Sequence, residues 1–228
     1  MSSEIKPRAL IVFFTFTRQT GRVAEVMNTA LTEKGYEVAK SAIEFTDPHW
    51  TKLFSTFPMR RPALRIPTIL VAQRRRKVGQ IRVPEAARTG DYDLVLIGSP
   101  TWWLTTSMPV RSFLSSPSAR NVLEGKPFAA FSVSRRYWKG NMHDVRQLGE
   151  AFGGRWLGET HFTADGGQIR SMLSWLSYMK RGTSRGRILG VKMPKPNLSH
   201  DFEQQARSFI DRIAAQAADR AVVTTSAD

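Results

Sequence analysis

The chain has 228 residues, enough for one large domain with a sizeable core. It contains no cysteine, which excludes disulfides, thiolate catalysis and cysteine-held zinc or iron–sulfur centres, and no apolar run is long enough to span a bilayer. The net charge is +15 and unevenly placed: 16 of the 34 basic residues fall in two acid-free segments, 48–84 and 166–200, leaving 18 basic against 19 acidic elsewhere. These segments predict a positive patch on an otherwise neutral body. No secretory leader is legible before the first apolar run, so a cytoplasmic address is the expectation.

Ala9 to Phe14 is continuously apolar and reads as a buried parallel strand. Three threonines follow, Thr15, Thr17 and Thr20. Val23, Val26, Met27, Ala30 and Leu31 then repeat on one helical face, with Gly35 at the expected C-cap. A strand, a hydroxyl-rich turn and a helix N-terminus together make an anion site, because free backbone N–H groups and the positive end of the dipole meet there. The threonines read either as helix caps or as phosphate ligands, and a helix needs only one cap. Tyr36 to Ile43 reads as a second strand. Over 46–90, Pro48, Pro58, Pro62, Pro67 and Pro84 argue against any long helix. That stretch is expected to be a basic insertion, with a short strand or helical turn from Pro67 to Ala72 before the run Arg74 to Lys77.

Asp93 to Pro100 reads as a third buried strand. Pro109 then opens a helix carrying Val110, Phe113 and Leu114. Phe128 to Ser134 is a fourth strand. Asn141 is expected to cap a helix bearing Met142, Val145, Leu148 and Phe152, stopped by Gly153 and Gly154. Trp156 to Phe162 is the fifth strand. Ile169, Met172, Leu173, Leu176 and Met179 give a second basic insertion, about 166–198, an amphipathic stretch. The last helix, about 201–220, carries Phe202, Ala206, Phe209, Ile210, Ile213 and Ala217 on one stripe, and the tail from Val222 is expected to fray. Strands alternating with helices imply an α/β chain with a parallel sheet covered on both faces, here as a single domain over residues 1–228.

Two later loops are aromatic. After the third strand come Pro100, Thr101, Trp102 and Trp103; after the fourth come Ser134, Arg135, Tyr137, Trp138 and Gly140. Aromatic faces can stack on a flat ring while loop N–H groups bond its polar edge. The hydroxyl turn resembles the phosphate loop of flavodoxins and related FMN proteins, although Arg18 stands where that family usually has glycine. Ser99 to Trp102 with Pro109 to Leu114, and Ser134 to Gly140, resemble its second and third FMN loops. The likeness covers residues 8–162 and the last helix, but not the two insertions. It implies a three-layer fold with a five-stranded parallel sheet in the order 2-1-3-4-5, binding FMN at the strands' carboxyl ends. Thr15, Thr17, Gln19 and Thr20, with their backbone amides, would then hold the phosphate, and Phe16 and Arg18 in the same turn would belong to the cofactor site. Trp102 and Tyr137 would cover the two ring faces, and Arg18 or Arg135 would favour negative charge on the ring.

The resemblance implies an FMN-dependent oxidoreductase, with NAD(P)H as reductant and a small, quinone-like electron acceptor. The alternative is a flavodoxin-type electron carrier docking on an acidic redox partner protein, although such carriers are generally acidic. No catalytic proton donor is legible. The stretch 169–181 and Arg74 to Lys77 also suit contact with an anionic membrane. Nucleic acid is not expected, since no recognition motif accompanies the charge. A homodimer is compatible with the sequence. Dinucleotide, Walker and nucleophile-elbow motifs are absent, and His49, His143, His161 and His200 lack metal-ligand spacing.

Overall fold

The computed structural model describes residues 6–54, 57–59, 62–163, 168–183, 187–188, 191–192 and 198–225. Five strands, β1 (Arg8–Phe13), β2 (Glu37–Ala42), β3 (Leu94–Trp102), β4 (Pro127–Ser134) and β5 (Arg155–Thr163), pair in parallel in the order β2-β1-β3-β4-β5. The expected order is therefore observed. A sixth strand, Thr105–Thr106, was not anticipated; it folds back antiparallel on Thr101 and Trp102 at the end of β3.

Residue alternation along the strands sends side chains to two cores. Ala9, Ile11 and Phe13 meet helix α1 (Gln19–Glu33) and the C-terminal helix on one face, through Val23, Met27, Phe209 and Ile213. Leu10 and Val12 join the other core with Val110, Phe113, Met142 and Val145. These last four belong to the short helix Met108–Phe113 and to Lys139–Ala151. With both faces covered, β4 is buried along its whole length, which is why its sequence reads as apolar without alternation.

The first insertion corrects the expectation drawn from its prolines. Helix α2 (Pro62–Arg74) runs for 13 residues with Pro67 inside it. Pro62 occupies a first-turn position, where its missing N–H costs nothing. Beyond Pro67 the burial of Ile69, Ala72 and Gln73 outweighs the lost hydrogen bond. The second insertion contains the expected helix, α3 (Gln168–Arg181), and α2 packs against it. The C-terminal helix α4 (Phe202–Thr225) continues past the point where fraying was expected; residues 226–228 lie outside the described set.

Candidate functional site

The turn after β1 enters α1 through Arg18, the N-cap residue, with φ 65°. That is the left-handed conformation glycine adopts most easily, and Arg18 holds it as a non-glycine residue. The Arg18 side chain makes no capping hydrogen bond, and no acidic residue sits in the first turn of α1. Of the threonines only Thr15 reaches a free first-turn N–H, by a long bond. Thr15 Oγ1 accepts from the Gly21 N–H at 3.4 Å, and Thr20 is buried. The turn is held from α3: Tyr178 Oη donates to the Thr17 carbonyl at 2.8 Å and accepts from Gln19 Nε2 at 3.0 Å. Gln19 Oε1 is buried with no partner among the described residues.

The turn after β3 is a two-residue hairpin. Trp103 and Leu104 both have positive φ, 47° and 70°, the pattern of a type I′ turn, which normally takes Asn-Gly. Both side chains are more than half exposed, at 57% and 51%. Trp102 instead packs inward, edge-on to Phe14 with ring centroids 5.7 Å apart.

A buried polar cluster supports this hairpin. Gln73 Nε2 donates to the Trp102 carbonyl at 3.1 Å and the Thr106 carbonyl at 3.0 Å. Arg111, almost fully buried, donates to Thr106 O at 2.9 Å, Thr105 Oγ1 at 3.0 Å and Gln73 Oε1 at 3.2 Å. Burial lowers the pKa of its guanidinium; nearby Asp144 opposes that shift and Arg76 adds to it. Asp144 accepts from the Thr106 N–H at 3.3 Å and pairs with Arg76 at 3.1 Å.

Asn141 departs from its expected role. The helix Lys139–Ala151 starts three residues earlier, with Trp138 as N-cap. Asn141 is buried inside it and donates from Nδ2 to Ser99 O at 3.0 Å, Ser132 Oγ at 3.0 Å and Thr101 Oγ1 at 3.1 Å. It ties the ends of β3 and β4 together. Sequence pattern cannot separate a cap from such a tie, because Asn serves both.

In the turn after β4, Tyr137 has φ 56° and is 54% exposed. Ser134 Oγ is buried and has no partner among the described residues. A Cβ on Gly140 would lie 2.2 Å from the Leu104 carbonyl oxygen, so the second and third turns touch there and only glycine fits. Trp138 turns away and stacks on His161, centroids 3.9 Å apart and planes 12° apart.

The three turns converge on a cavity of about 680 Å³. Phe16, Thr17 and Thr20 line it from the first turn, Pro100, Thr101, Trp102 and Trp103 from the second, and Ser134, Arg135 and Tyr137 from the third. Thr15, Arg18, Gln19 and Gly140 do not line it; the first three shape the threonine turn and Gly140 sets the approach of the other two. Of the two arginines expected near the ring, Arg135 is at the cavity and Arg18 is not. Both insertions also contribute, which sequence reasoning missed: Met59, Ile69, Leu70 and Gln73 from the first, Met172, Trp175 and Met179 from the second. The helical spacing of Met172 and Met179 was visible, but nothing in it says what the helix covers. A shallower depression of about 460 Å³ lies between β5 and α4, beside Thr160 and Phe209, away from the three turns. Among the described residues no cluster of acidic or histidine side chains is fit to hold a metal ion.

This architecture recurs in solved structures. A flavoprotein in complex with FMN from Lactobacillus acidophilus NCFM matches with a TM-score of 0.51 at 18% identity, over 68% of this chain and 93% of its own. A flavodoxin from the domain Archaea matches with a TM-score of 0.50 at 11% identity, over 92% of this chain and 99% of its own. No protein-family model matches the sequence, and no curated protein does. The fold is flavodoxin-like. In this chain two basic segments wall the cavity at the strand ends.

Proposed function

We propose that the cavity binds FMN and that the protein is an FMN-dependent oxidoreductase acting on a small electron acceptor. The observation that carries this reading is the convergence of three turns, from the carboxyl ends of β1, β3 and β4, on one cavity. The residues fit the cofactor chemically. The N-terminus of α1, where Arg18 makes no capping bond and Thr17 and Thr20 stand beside the cavity, offers donors and a positive dipole end to a phosphate. Ser134 Oγ, unpaired among the described residues, offers a further hydrogen-bonding group at the cavity wall. Trp103 and Tyr137 supply exposed aromatic faces for the ring, and Trp102 backs them from the core. Arg135 brings a cation to the same wall, its guanidinium pKa lowered chiefly by burial.

FMN, when bound, supplies hydride or electron transfer; the protein binds it, orients it and sets its electrostatic surroundings. Gln19 and Tyr178 hold the threonine turn in place, and the Gln73–Arg111 cluster holds the aromatic hairpin. The apolar side chains of α2 and α3 exclude water from the cavity's outer wall and favour a turnover enzyme over a bare carrier. The half-exposed Trp103 and Tyr137 instead favour the carrier reading, since an exposed cofactor edge permits electron transfer to a docked protein.

The purified protein is expected to carry flavin absorbance, or to quench flavin fluorescence on titration with FMN. A colourless protein that leaves added FMN unquenched overturns the proposal. With FMN bound, NAD(P)H oxidation against a panel of quinones separates the two readings. An enzyme turns over alone, whereas a carrier takes electrons only from a separate reductase.

A further inference from the structure

We infer that the mouth of the cavity docks on an anionic lipid surface. Every large apolar side chain exposed among the described residues belongs to one of the two insertions or to one of the two aromatic turns. Four of them, Trp103, Leu104, Tyr137 and Met172, stand at the cavity itself. Single exposed apolar residues are ordinary, but four of them around one mouth are not.

The positive charge gathers on the same elements. Arg74, Arg75, Arg76 and Lys77 follow the cavity-lining residues of α2, and Lys180 and Arg181 end α3. Arg135 and Arg136 line the cavity. Of these, Arg76 is paired with Asp144, while the segments 48–84 and 166–200 contain no acidic residue of their own. Anionic headgroups complement this collar, and the aromatic and aliphatic tips within it suit the headgroup–acyl boundary.

The hairpin tip supplies a second argument. Trp103 and Leu104 hold left-handed backbone angles that Asn and Gly adopt without strain, and they expose their side chains as well. Neither conformation nor packing within the chain accounts for Trp-Leu at that place. Trp103 has a use inside the cavity as a face for the ring, and immersion in lipid accounts for the exposed Leu104 beside it. Separated tips among cations match a fluid interface, which requires no complementary shape; a protein partner requires a continuous packed patch. No described helix is long and apolar enough to cross a membrane, so the contact inferred is peripheral.

The inference does not depend on FMN, and co-sedimentation tests it on the full chain with and without added FMN. The vesicles are phosphatidylcholine alone, or phosphatidylcholine with about one quarter phosphatidylglycerol. Binding is expected to the mixed vesicles at low salt, to weaken as salt rises, and to be slight on phosphatidylcholine alone. Lys180→Gln and Arg181→Gln are each expected to lower the partition coefficient about fivefold. Leu104→Asn is expected to lower it about tenfold. Because Asn tolerates the left-handed angle, that variant should melt no lower than the parent, so lost binding cannot be blamed on unfolding. Failure to sediment with mixed vesicles overturns the inference. So does binding that both kinds of variant leave unchanged. Equal binding to poly-glutamate, insensitive to Leu104→Asn, also overturns it by showing an acidic polypeptide site instead.

Discussion

Replacing Tyr178 with phenylalanine removes one oxygen atom and leaves the ring where it packs, 5.1 Å from Phe57. That oxygen makes two hydrogen bonds, from Gln19 Nε2 and to the Thr17 carbonyl. Gln19 Oε1 already lacks a partner among the described residues, so the variant strips the buried Gln19 amide of its only recorded side-chain bond. A buried donor left unsatisfied costs about 1–3 kcal/mol. Thr17 is only half-buried, and water will satisfy part of its carbonyl. The sum is therefore about 2–3 kcal/mol, or roughly 4–12 °C in Tm for a chain of this size. The threonine turn also loses its tie to α3 and must be re-ordered when a phosphate arrives. If about 1.4 kcal/mol of the loss appears in binding, FMN affinity falls about tenfold. Thermal melts and fluorescence titration with FMN measure the two effects separately. A variant that melts within about 1 °C of the parent and binds FMN equally refutes the clamp assigned to Tyr178.

Gly140→Ala is expected to weaken FMN binding at least tenfold, since its Cβ would meet the Leu104 carbonyl at 2.2 Å and push two turns apart. If instead the variant is stabilised by about 1 kcal/mol, as a free helical position would be, and titrates FMN normally, the contact is wrong. Gln73→Leu keeps the volume but removes one of the hydrogen bonds to each of the Trp102 and Thr106 carbonyls and one acceptor from Arg111, each of which keeps another partner, so calorimetry should show a loss of about 1–3 kcal/mol. Burial holds the His161 pKa below its ordinary value, so at acid pH the unfolded chain takes up the proton first. Stability should therefore fall as pH drops from 7 through the ordinary histidine range, and His161→Phe, which can keep the stack on Trp138, should flatten that slope in thermal melts. Tyr137→Asn should relieve a left-handed backbone and raise Tm slightly while lowering FMN affinity; a lowered Tm with unchanged affinity would remove Tyr137 from the site.

The sheet was legible because parallel strands buried on both faces must be apolar without interruption, and Ala9 to Phe14 and Phe128 to Phe131 are. The three turns stood out in the sequence because three hydroxyls in one turn and paired aromatics in two others exceed what capping or packing needs, and they line one cavity. Helix α2 was not, since Pro67 outweighs its weak periodicity in any local reading, and only contact with the rest of the fold restores it. The supporting cluster was not legible either. Gln73, Arg111, Asp144 and Asn141 come from three helices and are joined by hydrogen bonds spanning up to 42 residues of chain. No periodicity or motif links such partners, because what joins them is the satisfaction of buried polar groups after the strands have aligned.

Backbone strain ties these observations together. Five non-glycine residues have positive φ, among those described: Arg18, Arg76, Trp103, Leu104 and Tyr137. Four lie on the three turns, and the fifth, Arg76, pairs with Asp144 beneath the hairpin. Each such residue costs of order 1 kcal/mol or more, and glycine would relieve most of that cost at every one. Strain of this kind persists only where surrounding contacts over-determine the backbone. Here they do: Tyr178 and Gln19 fix the first turn, Gln73, Arg111 and Asp144 the second, and the Gly140–Leu104 contact joins the second to the third. A fold under no demand but stability would place glycine or asparagine in these turns and dispense with the buried arginine. Retaining Trp, Leu and Tyr in strained, exposed positions, above a polar cluster that is difficult to bury, makes sense only if those side chains face something outside the chain.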